Sequence, residues 1–241
     1  MSPQPLARVK PEASLHIGAL SPAGDFDPEL CRLAVHVISL WSYTEAGLLR
    51  MAAQFLASEQ PLVTHMLQAV KNAEGRRAAV KAAGLQRLSG GSDDASFFLA
   101  ALDALGHAEE LRNRYAHQIW ASSPDIPDAI ILIDPRLIER AEALEAAGAI
   151  EGHWLLPSAS HFDRMKVMVY RKPDLQKDVS EACDAAIIVD QLVEWYGFRS
   201  IAAPELAAPI RDLLLEQYPR LRDAYSRRRS QAQEDADGAA V

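Results

Sequence analysis

Leu111-Arg112-Asn113-Arg114-Tyr115-Ala116-His117-Gln118-Ile119-Trp120 divides the chain into two kinds of sequence. Ahead of it, apolar residues recur at three- and four-residue steps, the period of helices that pack one face inward. Behind it come a short strand pair and more helix. The stretch closes a long apolar-periodic segment and concentrates two arginines, an asparagine, a histidine and two aromatic rings. The expected fold is mainly α: a helical bundle with a short two-stranded β insertion.

Upstream, Asp27 is placed to cap a helix that Pro28 opens. Leu30, Leu33, Val37, Ile38, Trp41, Leu48, Ala52, Phe55 and Leu56 carry that helix to about Ala57. Glu45 falls on the apolar stripe one turn beyond Trp41. A carboxylate there either reaches solvent at the stripe's edge or pairs with a buried arginine, since an unpaired buried charge is costly. After Pro61 a second helix runs from Val63 to Leu85, with Gly75 and Gly84 as weak points. Ser92 or Asp93 can cap the next one, which continues through Leu105 and Leu111 to Ile119 and ends by Ser123-Pro124.

Downstream, Ala129–Ile133 is an apolar run bounded by Pro127-Asp128 and Asp134-Pro135, and it reads as a strand. Residues 137–147 form a short helix, and Met165–Tyr170 alternate as a second strand. Helices follow from Leu175 to Gly197 and from Pro204 to Arg229, where three arginines suit the carbonyl end of a helix. The expected organisation is an irregular N-terminal arm over 1–25, a helical domain over 26–200, a C-terminal helix packed on it over 201–230, and a disordered acidic tail over 231–241.

The 241 residues, 49% hydrophobic and 24% charged, suffice for a real core. No apolar run nears the ~20 residues that span a bilayer, so no membrane partner is expected and the location is read as cytoplasmic. Cys31 and Cys183 read as buried small hydrophobes. His153 and His161 lack the close ligands of a metal site, so neither metal nor cofactor is expected. A net charge of -8 argues against broad electrostatic capture of nucleic acid. Local basic surface remains at Arg76, Arg77 and Lys81, with Arg114 a further candidate for contact with RNA.

Within the central stretch, Asn113 and His117 are four residues apart, about 40° round a helix, so Asn113 can orient the imidazole. Arg112 and His117 are five apart, about 140° on an ideal helix. They share a face only where the helix starts or distorts, or where two chains build the site. A histidine moves protons near neutrality and an arginine holds phosphate. Together they meet the needs of metal-free RNA cleavage: activation of the 2′-hydroxyl, stabilisation of charge at phosphorus and protonation of the leaving oxygen. The alternative is that both residues only tie helices together.

Arg112-Asn113-Arg114-Tyr115-Ala116-His117 resembles the signature of HEPN-domain proteins, an arginine followed by a polar residue and then, after a short spacer, a histidine. The resemblance implies an α-helical bundle acting as a homodimer that brings two Arg/His pairs together. It also implies metal-independent endoribonuclease activity, with a toxin–antitoxin or defence role and an antitoxin or regulatory partner. Arg112, Asn113 and His117 would be catalytic, and Glu45, Tyr115 and Trp41 supporting, with Glu45 taking the place of a family glutamate that contacts the arginine. Some relatives of that kind cleave nothing. The competing expectation is therefore a non-catalytic helical dimer, an interaction or regulatory protein in which Arg112 and Glu45 form a buried ion pair.

Overall fold

A computed structural model of the chain describes residues 2–17, 26–89, 92–146, 163–200 and 204–239. The fold is mainly α, with a small antiparallel sheet of five strands. Chain contacts divide it into two units, Met1–Ser39 with Glu110–Glu181, and Leu40–Glu109 with Ala182–Val241. In chain order the elements are β1 (Gln4–Pro5), α1 (Leu6–Val9), β2 (His16–Ile17), α2 (Pro28–Leu56), α3 (Gln60–Gln68), α4 (Ala73–Leu88) and α5 (Asp93–His117). There follow β3 (Ile119–Ser122), β4 (Ala129–Ile133), α6 (Pro135–Ala146), β5 (Met168–Arg171), α7 (Lys172–Ser200), α8 (Pro204–Gln217) and α9 (Pro219–Ala239).

The first unit is built on the sheet, ordered β1-β5-β4-β3-β2. β4 lies at its centre, and all five of its residues are buried. Its alternate residues serve opposite faces. Ala129, Ile131 and Ile133 join Ala121, Val169, Leu6, Ile17 and, from α6, Ile138 and Ala141 in one apolar cluster. On the other face of β5, the Tyr170 ring meets Tyr115 of α5 edge-on at 5.8 Å.

Here the sheet departs from the expected strand pair. Helix α5 stops at His117, and Ile119–Ser122 pairs with β4 in the register Ile119↔Ile133 and Trp120↔Leu132. The Trp120 indole donates to the Tyr115 carbonyl at 2.9 Å, fastening the new strand to the helix end. Residues 2–17 of the N-terminal arm are likewise not irregular. Gln4–Pro5 pairs with β5 and His16–Ile17 with β3, so the arm supplies both sheet edges and buries Leu6 completely.

The second unit is helical. Its core joins Phe55 of α2, Phe97 and Phe98 of α5, and Trp195 and Tyr196 of α7, with edge-on ring contacts of 4.5–5.1 Å between Phe55 and Tyr196, Phe55 and Phe98, and Phe97 and Trp195. The expected second helix is two, α3 and α4, the latter capped by Asn72, whose Oδ1 accepts from the Gly75 amide at 2.6 Å. Ser92 caps α5 as expected, accepting from the Ala95 amide at 3.1 Å. The expected final helix is also two, divided at Tyr218-Pro219 where proline removes a donor. The acidic end is helical to Ala239 rather than disordered. Arg228 and Arg229 reach Asp103 and Asp93 of α5 at 2.8 and 3.3 Å, and so do not close a helix.

Gly84 is a close approach rather than a weak point. A Cβ there would lie 2.3 Å from Cε1 of the fully buried Phe98 ring. Overpacking of about 3 kcal/mol outweighs the ~1 kcal/mol that alanine gains over glycine in a helix. Gly84→Ala should therefore lose roughly 2 kcal/mol of stability, read from urea unfolding by circular dichroism; an unchanged midpoint would refute the tight fit.

Candidate functional site

The last turns of α5 belong to the first unit, and they carry the Arg-Asn-His stretch. The final helical bond there is from the Gln118 amide to the Arg114 carbonyl, at 3.2 Å. His117 is thus the last helical residue, with its side chain exposed, as is that of Asn113, while Arg112 is half-buried. The guanidinium of Arg112 folds along the helix and spans the angular gap. Its Nη1 lies 2.9 Å from His117 Nε2 and donates to Asn113 Oδ1 at 3.0 Å. An arginine N–H can only donate, so Nε2 is the accepting nitrogen and the imidazole proton rests on Nδ1. The sequence spacing argued against a shared face within one helix; the length of the arginine side chain and the helix end bring the pair together.

An open cleft adjoins this cluster, lined by Glu110, Asn113, Arg114, His117, Gln118, Asp134, Pro135 and Arg136. Its far wall is the start of α6. Asp134 Oδ1 caps that helix by accepting from the Arg136 amide at 3.0 Å, and the Arg136 guanidinium returns to the same carboxylate at 2.5 Å. Those bonds hold the Asp134 carboxyl below its ordinary range.

Behind the exposed pair lies a buried polar cluster. Tyr115 donates its phenol proton to Asp178 Oδ2 of α7 at 2.6 Å, and Arg114 reaches the same oxygen at 3.4 Å. Arg114 also lies over the Tyr170 ring, 5.6 Å from its centroid. Burial, reinforced by the Asp178 carboxylate, pushes the Tyr115 phenol well above its ordinary value. Burial likewise raises Tyr170, to about 12, and raises the Asp178 carboxyl.

The other expected site residues are placed differently. Within the second unit Glu45 accepts from Arg76 at 2.6 Å, and Arg76 also donates to the Val70 carbonyl. Arg77 is likewise held by Glu109 of the same unit. Both candidate RNA contacts are thereby matched with carboxylates, and Arg114 is matched with Asp178. Lys81 is exposed. Trp41 is a core residue, 5% exposed. Tyr115 is buried. His153 and His161 lie outside the described residues, among which no His, Cys, Asp and Glu cluster could hold a metal. No described helix is long and apolar enough to cross a membrane.

Asp134, Arg136 and Asp178 are what the sequence reading missed. Asp178 had a signal: it falls on the apolar stripe of α7, three residues after Leu175 and four before Ala182, where a carboxylate needs a partner. Comparison with protein-family models finds no match, and no curated protein or solved structure matches the chain either.

Proposed function

We propose that the chain is a HEPN-like, metal-independent endoribonuclease in which Arg112, Asn113 and His117 act on one phosphodiester. The observation that carries the reading is the 2.9 Å contact between Arg112 Nη1 and His117 Nε2 on an exposed helix end beside an open cleft. A phosphate oxygen drawn to the guanidinium takes over the N–H now given to Nε2, which frees that lone pair for the 2′-hydroxyl proton. The 2′-oxygen then attacks phosphorus, the bond to the 5′-oxygen breaks, and a 2′,3′-cyclic phosphate remains. Positive charge arising on the imidazole sits at the carbonyl end of α5, where it is favoured. Asn113 Oδ1 holds the guanidinium in line. In a homodimer the departing 5′-oxygen takes its proton from a second His117 in the imidazolium form, which is left neutral as the first becomes charged.

The test is incubation of the purified protein and its His117→Ala variant with mixed RNA in excess EDTA. Cleavage by the parent to cyclic-phosphate ends, absent in the variant, is the expected result. Cleavage that needs added metal, or that survives in the variant, would sink the assignment. The second reading is a non-catalytic interaction or regulatory protein, and the cation found on Glu45 inside the second unit is Arg76. That reading predicts an inert parent.

A further inference from the structure

Arg136 is the most accessible guanidinium on the cleft, with 84% of its side chain exposed. Among the described residues it bonds Asp134, two positions earlier, through Nε and Nη2. An ion pair so open to water adds little stability, so a competing anion displaces it at small cost. Asp134 would not be orphaned by the exchange, because its Oδ1 keeps the Arg136 backbone amide that caps α6. The fork that now grips a carboxylate fits a phosphodiester equally well. It sits on the cleft wall lined by α6, with His117 and Asn113 on the wall lined by α5.

We infer that Arg136 binds a backbone phosphate of single-stranded RNA flanking the one held by Arg112, so that the cleft grips a strand of several nucleotides and not an isolated dinucleotide. This rests on the ribonuclease reading of the same cleft. Arg76 and Arg77, the cations that composition favoured, are held by Glu45 and Glu109 of the second unit. The Arg136 partner is a residue that a phosphate replaces without leaving a buried charge behind.

The experiment is fluorescence anisotropy with a labelled 2′-O-methyl oligoribonucleotide, which binds but cannot be cleaved, over a range of salt concentrations. One lost phosphate contact on a single strand lowers the slope of log K against log salt by about 0.7, or about fivefold in affinity at 0.1 M salt. Arg136→Ala should show that loss, Arg136→Lys should restore most of the slope, and Asp134→Asn, which keeps the cap but frees the guanidinium, should bind more tightly than the parent. Arg227→Ala, which removes an exposed cation from α9, serves as the charge-matched control and should keep the parental slope. Equal slopes for the parent and Arg136→Ala overturn the inference, as does equal loss in Arg227→Ala or failure of the parent to bind. A parent that binds this strand while leaving cleavable RNA intact overturns the cleavage reading alone.

Discussion

The Arg112→Ala, His117→Ala and doubly substituted proteins are expected to cleave RNA at one common, residual rate, about 10²–10⁴-fold below the parent. The reason is contact. Arg112 Nη1 touches both His117 Nε2 and Asn113 Oδ1, so the three side chains hold one arrangement. On the proposed ribonuclease reading, loss of the guanidinium leaves the phosphate unheld and the imidazole without its neighbour, and loss of the imidazole leaves no group to take the 2′-hydroxyl proton. Groups that act as a unit give losses that do not multiply. The stability of His117→Ala should hardly move, because His117 is exposed and surface changes stay within about ±0.5 kcal/mol. Single-turnover rates in EDTA for the three variants decide it. Losses that multiply would separate the two residues. A double-mutant cycle that couples them in unfolding but not in cleavage would make the contact structural.

The main helices were readable because their signals are local. Asp27-Pro28 announces α2, and Asp27 Oδ1 does accept from the Glu29 amide at 2.7 Å. Ser92 announces α5, and the uninterrupted apolar run 129–133 announces the strand that lies at the centre of the sheet. What failed depends on partners distant in sequence. Ile119–Ser122 carries apolar residues in step with the preceding helix, and no glycine or proline marks the change at Gln118. Only pairing with β4 makes it a strand. Gln4–Pro5 and His16–Ile17 are too short to announce themselves and exist because β5 and β3 offer open edges. In the candidate site, Arg112, Asn113 and His117 are legible as a motif, and Glu45 is legible as a carboxylate on an apolar stripe that needs a cation. A buried carboxylate tells the reader that it has a cation partner, not which one, and Arg76 on α4 took the role. Arg136 gave no signal at all, since its place on the cleft follows from the β4–α6 connection.

Replacement of Asp178 by alanine should cost about 3 kcal/mol, the upper part of the range for a hydrogen bond to a charged group. The Tyr115 hydroxyl accounts for most of it. Tyr115 is 2% exposed, its donor bonds Asp178 at 2.6 Å, and its own backbone carbonyl anchors Trp120 of β3. Loss of the carboxylate leaves a buried donor without its partner at the point where helix becomes strand. The Arg114 leg counts for less, because that contact is 3.4 Å long and 30% of the arginine side chain meets solvent. Urea unfolding followed by circular dichroism measures the loss, and a shift below about 1 kcal/mol would mean that the pair is not holding the junction. The pH dependence has a definite sign. Burial raises the folded pKa of Asp178 above its unfolded value of 3.8. Between those two values the native state binds the proton more tightly than the unfolded chain, so this contribution is fully present below 3.8 and is lost as pH rises through the folded value. Asp178→Asn cannot titrate, yet its amide oxygen still accepts from Tyr115. Its unfolding midpoint should therefore fall less steeply than the parent's as pH rises from about 4. Parallel profiles would assign the slope to other carboxylates. Since Arg112 and His117 project from the helix turns that Tyr115 and Asp178 secure, the proposed cleavage should survive in Asp178→Asn and weaken in Asp178→Ala.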